Sequence, residues 1–141
     1  MNYFLEIILS LIFFLIGAIH FSWAFGVKFG YEEVIPKNEK GEKLFSPKKP
    51  ECIIMAMIFF LLVIFYLIKG NFISLKIYEW LLEYSGWFIS ILFLIRAIGD
   101  FKYVGIFKSI KTTDFAKWDN KLYVPLCLII SLIAVTIQLI N

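Results

Sequence analysis

Four long apolar runs, at roughly residues 3–26, 52–69, 77–99 and 122–140, dominate this chain and leave three gaps between them. A hydrocarbon core about 30 Å thick needs about 20 helical residues to cross it, and each run approaches or exceeds that length. Hydrophobic residues make up 61% of the 141 positions. A soluble domain of this size has too little interior to hide so much apolar surface. In lipid every backbone N–H and C=O must be satisfied within the protein. The runs lack the two-residue alternation of barrel strands, so helices are the spanning form. The expectation is an all-α integral membrane four-helix bundle, one membrane domain over residues 1–141.

The basic residues fix an orientation. The first long gap holds Lys28, Lys37, Lys40, Lys43, Lys48 and Lys49, and the third holds Lys102, Lys108, Lys111, Lys117 and Lys121, with Arg96 at its edge. Only Lys69 and Lys76 lie elsewhere. Basic residues in short loops mark the cytoplasmic side. Loops 27–51 and 100–121 are therefore expected in the cytoplasm, and both termini and the 70–76 turn outside. The first run carries Glu6 and no basic leader, so it reads as a retained helix rather than a signal peptide.

Membrane lipids are the expected partners. Each lysine near an anionic surface contributes about 1 kcal/mol. Nucleic acid is not expected, because the basic residues are mixed with acids and lie against a bilayer. Cys52 and Cys127 fall at cytoplasmic helix ends, where thiols stay reduced. There is no paired-cysteine motif, phosphate loop or metalloprotease helix, so no cofactor and no metal are assigned. A ligand set of His20, Cys52, Cys127 and a carboxylate has acceptable chemistry but no supporting spacing.

The loops differ in character. Residues 27–51, with prolines at 36, 47 and 50, read as a solvated loop with a hairpin around Lys40 and Gly41. Pro50 and Glu51 suit a helix start. Residues 101–123 interleave Tyr103, Phe107, Phe115, Trp118 and Tyr123 with lysines. That pattern suits a segment lying in the headgroup layer or folded back onto the bundle mouth. Asp119 or Asn120 is expected to cap the fourth helix, with Pro125 in its first turns.

Charged groups at membrane depth are costly, so each one carries a functional question. On the first helix Glu6, Ser10, Phe13, Gly17, His20 and Ala24 share a face; on the third, Tyr78, Ser85, Ile89, Arg96, Asp100 and Tyr103 do. His20, Cys52, Arg96, Asp100 and Cys127 also share a depth, which suggests a polar pocket open to the cytoplasm. Arg96 and Asp100 are i,i+4 neighbours. They read either as an intrahelical pair that makes a helix end tolerable, or as an anion-binding arginine held by its aspartate. His20 is either a proton-transfer group or a structural histidine bonded to Asp100 or a backbone carbonyl. Trp23 is an interface anchor or a stacking platform. The candidate ligand-binding set is His20, Trp23, Arg96, Asp100 and Tyr103, and no catalytic residue is assigned.

The stretches His20-Phe-Ser-Trp23-Ala-Phe-Gly26, Arg96-Ala-Ile-Gly99-Asp100-Phe-Lys-Tyr-Val-Gly105-Ile-Phe-Lys108 and Asp119-Asn-Lys-Leu-Tyr-Val-Pro125-Leu-Cys-Leu resemble a family of small four-helix bacterial integral membrane proteins, domain of unknown function 3995. The charged segment 37–49 lies outside that family's core pattern. The resemblance implies a bacterial plasma membrane protein and carries no established activity. Three functions are compatible with these residues. One is binding or transport of a small anionic or amphipathic ligand such as a lipid, with transport calling for a homo-oligomer. Another is a membrane-embedded enzyme acting on a lipid or isoprenoid, with His20 as acid or base. The third is an interaction or immunity protein working through its two long loops.

Overall fold

The computed structural model describes residues 3–140. Four helices carry the chain: α1 (Phe4–Ala24), α2 (Lys49–Lys69), α3 (Glu79–Ile98) and α4 (Asp114–Ile140). All four are long and apolar enough to cross a membrane, and only 22–28% of each apolar window is buried inside the protein. Side chains such as Leu11, Phe14, Leu61, Phe88, Ile95, Leu132 and Leu139 stand exposed along them. In water such faces would be a liability on this scale; in lipid they are the solvent-facing surface. The chain is an all-α, multi-pass membrane protein.

Local chemistry sets the helix ends. At α2 the Lys48 N–H donates to Glu51, Pro50 sits in the first turn, and Lys69 sits in the last. α3 opens on Glu79 and carries Arg96 in its final turn, in accord with the helix dipole. It stops at Gly99, whose φ of +90° is cheap only for glycine. The expected boundaries hold within two or three residues for these helices.

The fourth helix departs from expectation. It begins at Asp114 rather than near 122, and Asp119 and Asn120 lie inside it instead of capping it. Thr113 is the cap: its Oγ1 accepts the Ala116 N–H at 3.1 Å. Residues Asp119–Tyr123 form a π-helical turn, closed by the Val124 N–H donating to the Asp119 carbonyl. Pro125 supplies a physical reason. It lacks an N–H, and in an α-turn its ring would strike the carbonyl four residues back. A widened turn before it relieves that clash and lets the helix run through.

The chain forms two compact units. The first comprises residues up to 27, 47–87 and 133 onward; the second comprises 28–46 and 88–132. In the first, α1 and α2 pack antiparallel: Tyr3 meets Phe72, Phe13 stacks on Tyr66, Phe14 meets Phe60, and His20 meets Phe59. Gly17 gives the room, since a Cβ there would crowd the Phe59 and Phe60 side chains at 3.0–3.2 Å. In the same unit the Gln138 amide donates to the Glu83 carbonyl at 2.6 Å, over Gly86.

In the second unit Ser131 donates to the Ser90 carbonyl at 2.8 Å. The 37–43 segment makes the expected hairpin: Lys37 and Lys43 bridge, Asn38 Oδ1 accepts the N–H groups of Lys40 and Glu42, and Gly41 takes φ +79°. This loop is less solvated than its composition implies. Ile35 and Pro36 are buried, while the Lys43–Glu32 pair at 2.7 Å stays exposed.

Candidate functional site

The loop after α3 folds tightly back on its own helix. Gly99 and Gly105 both have φ near +90°, and their backbones approach so closely that a Cβ on either would strike a carbonyl, that of Val104 or Ile98. The Ile106 N–H returns to the Ala97 carbonyl at 2.8 Å. Asp100 Oδ1 accepts the N–H groups of Lys102, Tyr103 and Val104 at 2.7–2.9 Å. Slight burial pushes the Asp100 carboxyl up, but these backbone donors outweigh it and hold it below the usual carboxylate range.

Asp100 therefore organises the loop and does not pair with Arg96. The expected i,i+4 pair fails because Gly99 ends the helix and turns Asp100 away. Arg96 instead donates through Nη2 to Asp119 Oδ1 at 3.0 Å.

Asp119 is the centre of the arrangement, fully buried on the π-turn. Its Oδ2 accepts the Gly105 N–H at 2.8 Å and the Lys108 ammonium at 3.0 Å. Lys108 is itself buried, at 1% exposure. Its ammonium also donates to the Gly105 carbonyl and to Asn120 Oδ1. All three Lys108 donors are thus engaged, and both Asp119 oxygens accept hydrogen bonds. A buried ion pair is tolerable when its hydrogen bonds are completed in this way.

Arg96 is not completed. Its Nη1 is buried and has no hydrogen-bond partner among the described residues, while the side chain as a whole keeps 35% exposure. Arg96 and Lys108 set two positive charges against the single negative charge of Asp119. The cluster carries one net positive charge, and the donors still open sit on the arginine. Tyr123 and Cys127 lie within electrostatic reach of both Arg96 and Asp119, and Glu33 lies within reach of Tyr123.

The expected set divides between the two units. In the first, the His20 ring sits 4.7 Å from the Trp23 ring and 5.2 Å from that of Phe59, centroid to centroid. His20 Nδ1 lies 2.9 Å from the Ile16 carbonyl. A carbonyl oxygen only accepts, so Nδ1 donates there. Of the two readings of a structural His20, this is the backbone-carbonyl one. Trp23 is buried. In the second unit, Arg96, Asp100 and Tyr103 belong to the loop-and-helix system just described, and Lys102 reaches over the Tyr103 ring.

Lys108 and Asp119 stand outside the expected ligand-binding set; Asp119 reads from the sequence as a helix cap or a lysine partner, and the lysine it holds is Lys108. Among the described residues no three His, Cys, Asp or Glu side chains are grouped as metal ligands. Cys52 and Cys127 are free and buried. A cleft of ≈ 170 Å³ between Glu32, Glu33, Lys37, Asp114, Lys117 and Trp118 involves none of the expected site residues.

A family model described as a protein of unknown function (DUF3995) matches residues 13–134. That span takes in His20, Arg96, the Gly99–Gly105 loop, Lys108 and Asp119. No curated protein and no solved structure matches the chain. The chain belongs to this family of proteins of unknown function.

Proposed function

We propose that the protein binds the anionic group of a small or amphipathic ligand at Arg96, on the cytoplasmic side of a bacterial plasma membrane. One observation carries the reading: a buried guanidinium nitrogen lacks a partner in a cluster whose carboxylate is already neutralised by Lys108. A buried donor without an acceptor costs about 1–3 kcal/mol, more when charged, and an arriving anion recovers that cost. Arginine offers a planar fork suited to phosphate or carboxylate oxygens. The basic loops support the side of the membrane, with both termini outside. Membrane lipids are the nearest source of such a ligand.

Retention of anionic amphiphiles by the purified protein, read by mass spectrometry, tests this. Arg96→Gln should lose the bound anion and remain folded, because Lys108 and Asp119 still pair as a neutral unit. Lys40→Gln removes a charge at the exposed hairpin and should retain the anion. Equal retention by Arg96→Gln and the wild type would end the proposal.

A further inference from the structure

The charge count at Asp119 specifies the ligand further, given the anion-binding reading above. Arg96 and Lys108 contribute two positive charges and Asp119 one negative charge. Lys108 is fully enclosed, and its three donors go to Gly105, Asp119 and Asn120. It has nothing left for a ligand. The site can therefore offer one uncompensated positive charge, spread over a partly buried guanidinium.

A singly charged oxyanion brings this cluster to neutrality. A doubly charged one leaves one negative charge that nothing in the cluster compensates, beside a partly buried guanidinium, which is disfavoured.

We infer that the Arg96 site selects monoanionic amphiphiles, namely a phosphodiester headgroup or a fatty carboxylate, over phosphomonoester headgroups. A phosphomonoester has its second pKa near 6 and is a dianion at pH 8. The two monoanionic sources share one chemistry, a single charge over two oxygens that a guanidinium can engage side by side.

The test is competition at pH 8 in detergent, with bound species read by native mass spectrometry. The probes are phosphatidylglycerol, phosphatidic acid, phosphatidylcholine and a fatty acid of matched chain length. The expected result is at least about tenfold preference for phosphatidylglycerol or the fatty acid over phosphatidic acid. Which of the two leads identifies the source. Arg96→Gln should erase the preference, and Lys40→Gln should keep it. If anions bind through Arg96 but phosphatidic acid matches or exceeds phosphatidylglycerol, the charge-count inference falls and anion binding stands. If Arg96→Gln binds every probe as the wild type does, anion binding at Arg96 falls, and this inference falls with it.

Discussion

The Arg96 guanidinium and the Asp119 carboxylate, 23 positions apart in sequence, meet at 3.0 Å where the end of α3 faces the π-turn of α4. Asp119 also holds Lys108, with no side-chain exposure on either partner. Asp119→Asn should therefore cost about 3–5 kcal/mol, because it strands a buried ammonium. Arg96→Gln should cost less, about 1–2 kcal/mol, because it leaves a neutral pair behind. Replacing the whole cluster, as in Lys108→Met with Asp119→Leu and Arg96→Gln, should cost less than Asp119→Asn alone. Thermal unfolding in detergent reads all four proteins. A larger loss in the triple variant than in Asp119→Asn would contradict the paired arrangement.

Glycine positions give a graded prediction. Gly41→Ala meets open space and should cost about 1–2 kcal/mol, the left-handed backbone penalty. Gly99→Ala and Gly105→Ala carry that penalty and also collide with carbonyl groups, so both should unfold well below Gly41→Ala. Melting temperatures ranked in that order support the tight crossing of the loop. Equal values for Gly41→Ala and Gly99→Ala would refute it.

Asp100 makes the 99–105 loop pH-sensitive. Its folded-state pKa lies below its unfolded value, despite the slight burial that acts in the opposite direction. The stability it contributes is present above the ordinary carboxylate pKa of about 4 and is lost as pH falls through the lowered folded value. Amide exchange at Lys102, Tyr103 and Val104 should speed up on that descent, after allowance for the intrinsic pH dependence of exchange. In Asp100→Ala these amides should already exchange fast at neutral pH, with little further change on acidification. Protection unchanged by Asp100→Ala would show that the carboxylate does not hold the turn.

Gly86 and Gln138 should be coupled. A Cβ at 86 would fall on the Gln138 amide, so Gly86→Ala must push it off the Glu83 carbonyl. The expected loss is about 1 kcal/mol, one hydrogen bond. In a Gln138→Ala background the same change should cost almost nothing. Equal losses in both backgrounds, measured by thermal unfolding, would rule the contact out.

The helices were legible because bilayer thickness imposes a length that composition displays directly. The start of α4 was not. Thr113 is a plain capping residue, but Pro125 advertised a later start, and only a π-turn reconciles the two. Arg96 stood out as an arginine in an apolar run, yet its partner was misassigned. Helical spacing pointed to Asp100, whereas Gly99 breaks the helix before that spacing can apply. Asp119 was readable as a lysine's partner, but the burial of its pair with Lys108 was hidden for a related reason. Their burial depends on a loop reversal through Gly99 and Gly105, a tertiary event with no periodic signature.

Arg96 is the only arginine in the chain. Labelling with ¹⁵N-arginine therefore places every guanidinium signal on this one side chain. Titration with a short-chain phosphatidylglycerol should shift the Arg96 Nη resonances saturably and slow their proton exchange, while matched phosphatidylcholine should leave them unchanged. An absent or identical response to the two lipids would contradict anion binding at Arg96.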